Sequence, residues 1–225
     1  MADHRLRTAR QRGGRAVPGR MERPAPPVVR PRIGGPAMNG TVTQYLRVLT
    51  TTTDTVDRVP MDRWSNPSPC EGWTCLHVLG HIIDGQRQIA SLLSGQGPRE
   101  PRTDPAGAVT GRPATAWADT VQAMRQLLTA TTDPNRRVAS HHGEVTVDWV
   151  LANAVIEPLI HTWDLAQAAG IDVSLDAEAV AATLTAIAPV ADRFATTGMY
   201  APALSTSGAA TPEQQLLALL GRSAP

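Results

Sequence analysis

Apolar residues recur at helical spacing along most of this chain, and turn-forming residues punctuate them. Val42, Tyr45, Leu46, Leu49, Val56 and Val59 mark a first helix over residues 40–59, which Pro60 ends. The segment "DRWSNPSPCEGWT" is crowded with Pro, Gly, Ser and Asn and reads as a structured connection, with Thr74 as the N-cap of the next helix. This second helix, over 75–94, carries Leu76, Leu79, Ile82, Ile83, Ile89 and Leu93 on one broad stripe and stops at Gly95 and Gly97. After a loop over 95–112, Pro113 begins a third helix with Trp117, Val121, Met124, Leu127 and Leu128, closed by Pro134. "RRVASHHGEVTV" alternates weakly and predicts at most a short extended excursion around Gly143. The strongest helical stretch runs from Thr146 to Ala169, with Gly170 as a left-handed C-cap. A fifth helix is predicted over 176–196, interrupted at Pro189, and "TPEQQLLALLGR" opens with a Thr cap and adds one short amphipathic helix. The pattern predicts an all-α protein: an up-and-down four-helix bundle with a short extra C-terminal helix.

Composition narrows the class. The 225 residues are 42% hydrophobic, enough for one good-sized core, and contain no apolar run of membrane-spanning length. The basic N-terminus lacks the apolar segment of a secretory signal, so the expected location is the cytoplasm and no membrane partner is expected. Cys70 and Cys75 sit five apart in a proline-bounded turn, too few and too local for a disulfide framework. Every basic residue is Arg, which together with abundant Ala and Pro suggests a G+C-rich genome. A net charge of +1 conceals an asymmetry, because residues 1–38 hold nine Arg against Asp3 and Glu22 while the remainder is acidic. That tail has Pro and Gly throughout and no periodic apolar pattern, so it is expected to be disordered, leaving 39–225 as the folded unit. A basic arm suits nucleic acid or an anionic surface, but this one lacks an aromatic residue for stacking on bases, and nucleic-acid binding is not expected. Met21 and Met38 are alternative starting points within it.

The chemistry lies in the helices. Residues four apart on a helix are separated by about 40° around its axis, so Glu157 and His161 project from one face. On the second helix His81 sits inside the core-facing stripe, with His77 one turn before it. If the two faces meet, several metal-capable side chains converge, and carboxylate with imidazole suits zinc, nickel or iron. The plainer reading is a buried, hydrogen-bonded polar network, since a single core histidine is more often that than a ligand. A buried carboxylate nevertheless needs a cation or strong donors beside it.

"PSPCEGWTCLHVLGHI", followed some 75 residues later by "EPLIHTWDLAQAAG" and then by "PEQQLLALLGR", resembles the DinB/YfiT-like metalloenzyme superfamily. The resemblance is to its actinobacterial branch, related to the N-terminal domain of mycothiol-dependent maleylpyruvate isomerase, and covers about residues 40–222. It implies a bundle with a divalent metal on three side chains, carried over by position to His81, Glu157 and His161, with Zn2+ favoured over Ni2+ or Fe2+. His77 stands where relatives carry an Asp, which removes a capping-box acid and offers an imidazole as an extra ligand or proton shuttle. Pro158 removes the backbone bond to the Ala154 carbonyl and is expected to kink the fourth helix. The isomerase's separate C-terminal domain has no counterpart in the sequence, which weighs against maleylpyruvate isomerisation itself.

Other residues take lesser parts. Asp164 either orients a ligand or caps the Gly72–Trp73 loop. Trp73, Trp149 and Trp163 are candidates for a pocket wall, and Arg87 either reaches an anionic substrate or solvates the helix end. Cys75 occupies a first turn where the helix dipole lowers a thiol pKa, but packing is the expected role of both cysteines. His141 and His142 are expected to face water. The leading functional expectation is a metal-dependent transferase or isomerase that activates a low-molecular-weight thiol, mycothiol, for attack on a small electrophilic substrate. The alternatives are a hydrolase using metal-bound water, and a non-catalytic bundle, monomer or homodimer, that senses or sequesters a metal or ligand.

Overall fold

Among the residues that the computed structural model describes, 38–131, 133–191 and 200–223, there are seven α-helices, two short 3-10 turns and one small hairpin. The basic tail over 1–37 lies outside the described residues, as do residues 192–196 of the fifth predicted helix. Helix α1 spans Met38–Arg58 and α2 spans Cys75–Leu93, within two residues of the sequence expectation. Helix α3, Pro113–Ala130, starts on proline at its first turn, where the missing N–H costs nothing. The weak alternation after it forms a real hairpin: β1 (Arg137–Ser140) pairs antiparallel with β2 (Gly143–Thr146), Val138 opposite Val145. Gly143, at φ 86°, supplies the left-handed residue that closes its turn.

The long fourth helix of the sequence reading is two helices, α4 (Val147–Ala154) and α5 (Ile156–Ala169). Pro158 has no N–H for the Ala154 carbonyl, so the ladder breaks there and resumes with the Leu159 amide on the Val155 carbonyl at 3.1 Å. Val155, between the two helices, stays in right-handed helical geometry. Gly170, at φ 68°, ends α5 with Ile171 N–H bonded to the Ala166 carbonyl and Gly170 N–H to that of Gln167, a Schellman closure. Helix α6 covers Ala177–Ile187 and passes into a 3-10 turn at Ala188–Val190, around the Pro189 expected to interrupt it. Helix α7, Pro212–Leu219, carries the expected Thr211 cap.

Helix α1 packs against α3 and α5, and α2 packs against the same two, so the four close into a ring. Their interior holds Tyr45, Leu49, Leu79, Ile82, Ile83, Trp117, Met124, Leu151, Leu159 and Ile160. Buried polar atoms there are paired. The Tyr45 hydroxyl donates to Gln86 Oε1 at 2.8 Å, and Thr52 and Thr162 share a hydrogen bond of 2.7 Å that ties α1 to α5. Among the described residues no helix is long and apolar enough to cross a membrane.

Candidate functional site

The loop from Trp64 to Thr74 folds back on the start of α2. The Cys75 and Leu76 amides bond the Asn66 and Trp64 carbonyls at 2.9 Å, and Asn66 Nδ2 reaches the Ala168 carbonyl of α5 at 3.0 Å. Gly72, at φ 75°, makes the turn that returns the Trp73 amide to the Cys70 carbonyl. The loop thereby hangs Cys70 and Trp73 over the seam between α2 and α5.

At that seam His81, Glu157 and His161 meet, each offering one donor atom and all three atoms within 4.8 Å of one another. His81 Nε2 lies 2.8 Å from Glu157 Oε2, and His161 Nε2 lies 3.3 Å from the same oxygen. The two imidazoles stand edge to face, 4.9 Å between centroids, and the Trp73 ring sits 5.0 Å from His81 and 6.3 Å from His161. Side-chain exposure is 37% for His81 and 32% for Glu157 but 7% for His161, so solvent reaches the cluster from the His81–Glu157 side.

Behind His161 lies a buried charged layer. His161 Nδ1 is 2.8 Å from Asp164 Oδ2, and Arg222 grips the same carboxylate with Nη2 at 2.8 Å and Nε at 3.2 Å. The Cys70 thiol donates to Asp164 Oδ2 at 3.3 Å. The Tyr200 hydroxyl donates to the other oxygen of Glu157, Oε1, at 3.0 Å, and its ring lies 5.4 Å under the Arg222 guanidinium.

The protonation pattern follows from these contacts. Burial alone would raise the Glu157 carboxyl, but the hydrogen bonds and charges of His161 and His81 outweigh it and hold it well below the usual carboxylate range. Burial would lower His161, but the bonds to Asp164, Cys70 and Glu157 lift it well above an ordinary imidazole. Asp164 is held down, against its burial, by His161 and Arg222. Burial and the Glu157 charge push the Tyr200 phenol well up, so it stays a donor. Burial also pushes the Cys75 thiol up to about 12, which overrides the helix-dipole effect and makes Cys75 a packing residue.

This donor set suits a cation. A proton on Nδ1 of His161, shared with Asp164, leaves the Nε2 lone pair facing a carboxylate lone pair, and only a second proton or a metal ion between them satisfies both. His81, Glu157 and His161 are therefore the residues that fit a divalent metal, with two nitrogens and an oxygen. Cys70, His161 and Asp164 also lie close enough to share an ion. There the Arg222 guanidinium already neutralises Asp164, so this second group is a hydrogen-bond hub.

The remaining candidates sit elsewhere. His77 does not stand in the cluster: it completes the cap of α2, its Nδ1 accepting from the Thr74 amide at 3.3 Å, with Nε2 3.7 Å from Asp104. An imidazole thus replaces the acid of a capping box. Arg87 donates to the Ala108 carbonyl at 3.2 Å and pins the 3-10 turn Pro105–Ala108 against α2. Asp164 bonds His161 Nδ1, the Arg222 guanidinium and the Cys70 thiol. Of the tryptophans, Trp73 faces the site, Trp149 meets His142 at 5.8 Å, and Trp163 is buried. Both loop histidines, His141 and His142, are exposed as expected. Sequence reasoning does not place Cys70, Tyr200 or Arg222 at the site. Arg222 has one legible signal, its place just beyond a glycine that ends a capped helix.

Comparison with known proteins bears on the fold and the family. Two uncharacterized proteins from strains of Mycobacterium tuberculosis, MT0763 and Rv0738, are each 29% identical over 166 residues, covering 73% of this chain and 87% of theirs. The crystal structure of the mycothiol-dependent maleylpyruvate isomerase superposes with a TM-score of 0.55 at 18% identity, over 67% of this chain and 70% of that one. A mutant of that enzyme gives 0.54 at 17% identity with the same coverage. These two likenesses establish a shared fold. Residues 45–166, more than half of the chain, match the profile of the mycothiol maleylpyruvate isomerase N-terminal domain, and the chain belongs to that family.

Proposed function

We propose that this protein is a divalent-metal-dependent transferase or isomerase that uses a low-molecular-weight thiol, mycothiol, against a small electrophilic substrate. The observation that carries the reading is the meeting of His81 Nε2, Glu157 Oε2 and His161 Nε2 on the solvent-reachable seam of α2 and α5. A zinc-like ion held by these three would supply Lewis acidity that favours the thiolate over the thiol, whose proton would pass to solvent on the open His81–Glu157 side. Asp164 holds the His161 ring by Nδ1, so that Nε2 keeps its lone pair toward the cluster. Trp73 stands against the His81 ring and forms one wall beside the solvent-reachable opening. The thiolate sulfur bonds to an electrophilic carbon. Expulsion of a leaving group completes a transfer, whereas addition to a conjugated double bond, rotation and release of the sulfur complete an isomerisation. Family membership supports the thiol over water as the nucleophile.

The test is elemental analysis of protein purified without a metal-binding tag, beside a His81→Ala, His161→Ala double variant. About one zinc, nickel or iron per chain, lost in the double variant, is expected, together with mycothiol-dependent loss of an electrophile's absorbance. Absence of metal after zinc addition and dialysis overturns the reading. Hydrolysis of ester or amide probes without any thiol would move the assignment to a hydrolase.

A further inference from the structure

We infer that Tyr200 is a positioning residue for the Glu157 carboxylate, and that the C-terminal turn bearing Arg222 holds Tyr200 and His161 in register with each other. The inference rests on the reading of His81, Glu157 and His161 as metal donors. Glu157 uses its two oxygens differently: Oε2 faces both imidazoles, and Oε1 accepts the Tyr200 hydroxyl. The last torsion of a glutamate is broad and barely restrained by its own chemistry. Without the phenol, the carboxylate is free to turn and present both oxygens to a bound ion. With it, Glu157 is a one-oxygen donor.

Tyr200 is itself held. Only 8% exposed, it lies under the Arg222 guanidinium, whose Nη1 also donates to the Leu220 carbonyl at 2.8 Å. Helix α7 closes in a second Schellman motif, with Arg222 N–H on the Leu217 carbonyl at 2.8 Å and Gly221 N–H on that of Ala218 at 3.0 Å. Gly221 has φ 78°, and a Cβ there would come within 2.9 Å of the Ala201 backbone. The turn is therefore pressed against the residue next to Tyr200, and the Leu204 amide ties the same stretch to the Ala218 carbonyl at 2.8 Å.

The contacts form a closed circuit: Glu157 to Tyr200, Tyr200 to Arg222, Arg222 to Asp164, Asp164 to His161, and His161 back to Glu157. Both donors of α5 are thus oriented from one turn. Tyr200 and Arg222 lie beyond residues 45–166, so this device belongs to the segment outside the shared domain.

The test uses the full chain loaded with Co2+ and, separately, Zn2+, comparing wild type with Tyr200→Phe and Arg222→Lys. Tyr200→Phe removes one oxygen and keeps the ring under Arg222. Zinc affinity by chelator competition is expected to fall about 10–100-fold in Tyr200→Phe. The visible cobalt bands are expected to weaken as Glu157 adds its second oxygen. Arg222→Lys keeps the charge without the two-pronged grip and should shift the cobalt spectrum in the same direction. Wild-type affinity and spectrum in both variants would overturn the positioning role and leave the metal reading standing. A wild-type protein that takes up neither ion would overturn both.

Discussion

His161 works with both ring nitrogens, one toward Asp164 and one toward Glu157, and its worth depends on a carboxylate that never faces solvent. Asp164→Asn is expected to remove the ion pair of a nearly buried Arg222, costing about 3–5 kcal/mol in urea unfolding. The same variant should bind zinc about 10–100-fold more weakly, measured by chelator competition. Gly80, the neighbour of His81, has a different constraint: a Cβ there would stand 2.0 Å from the Pro105 carbonyl oxygen. Gly80→Ala should cost about 1–3 kcal/mol by displacing the Pro105–Ala108 turn, a loss readable in chemical denaturation. The convergence of Glu157 and His161 with His81 was legible because the first two obey helical spacing and His81 interrupts an apolar stripe, and the family resemblance singled out these three. Cys70, Tyr200 and Arg222 were not, because each reaches the site from a turn, and no period in the sequence records where a turn points a side chain.

At the scale of elements, the outer face of α2 is a docking strip. His77, Gly80, Asp84, Gln88 and Arg87 each contact the segment 99–108, through Asp104, Pro105, the Arg102 amide, the Arg99 amide and the Ala108 carbonyl. His77 and Arg87, for which the sequence offered a functional role among other readings, both hold contacts of this strip. Helix boundaries set by caps, such as Thr74, Thr211 and Gly170, were readable locally, as was the interruption that Pro158 imposes near Val155, whereas the hairpin was settled by strand pairing. Helix α6 is joined to α1 through Arg47, whose Nε lies 2.8 Å from Asp176 and whose Nη2 pairs with Glu178, while Asp176 also caps α6 through the Ala179 amide. Burial raises Asp176, but Arg47 and the Ala179 amide outweigh it and leave its pKa below the ordinary aspartate value. A depressed folded-state pKa gives stability that is present above the unfolded value, near pH 4, and lost as pH falls through the folded one. Asp176→Ala should therefore cost about 1 kcal/mol at neutral pH and progressively less below about pH 4, in unfolding curves taken across that range.

For the whole molecule, the site joins segments that are far apart in the chain, so a bound ion should stabilise the fold globally. At zinc concentrations about 100-fold above Kd the gain is about 2.7 kcal/mol, visible as a rise in Tm that a chelator reverses and that His81→Ala, His161→Ala abolishes. The same architecture sets an order of events during synthesis. His81, Glu157 and His161 leave the ribosome before Tyr200 and Arg222 do, so a nascent chain carries every donor while the residues that aim two of them are still to come. An ion captured at that stage would meet a Glu157 carboxylate without the Tyr200 hydroxyl on its second oxygen. If the three hold an ion as proposed, its final geometry would wait on the turn that bears Arg222.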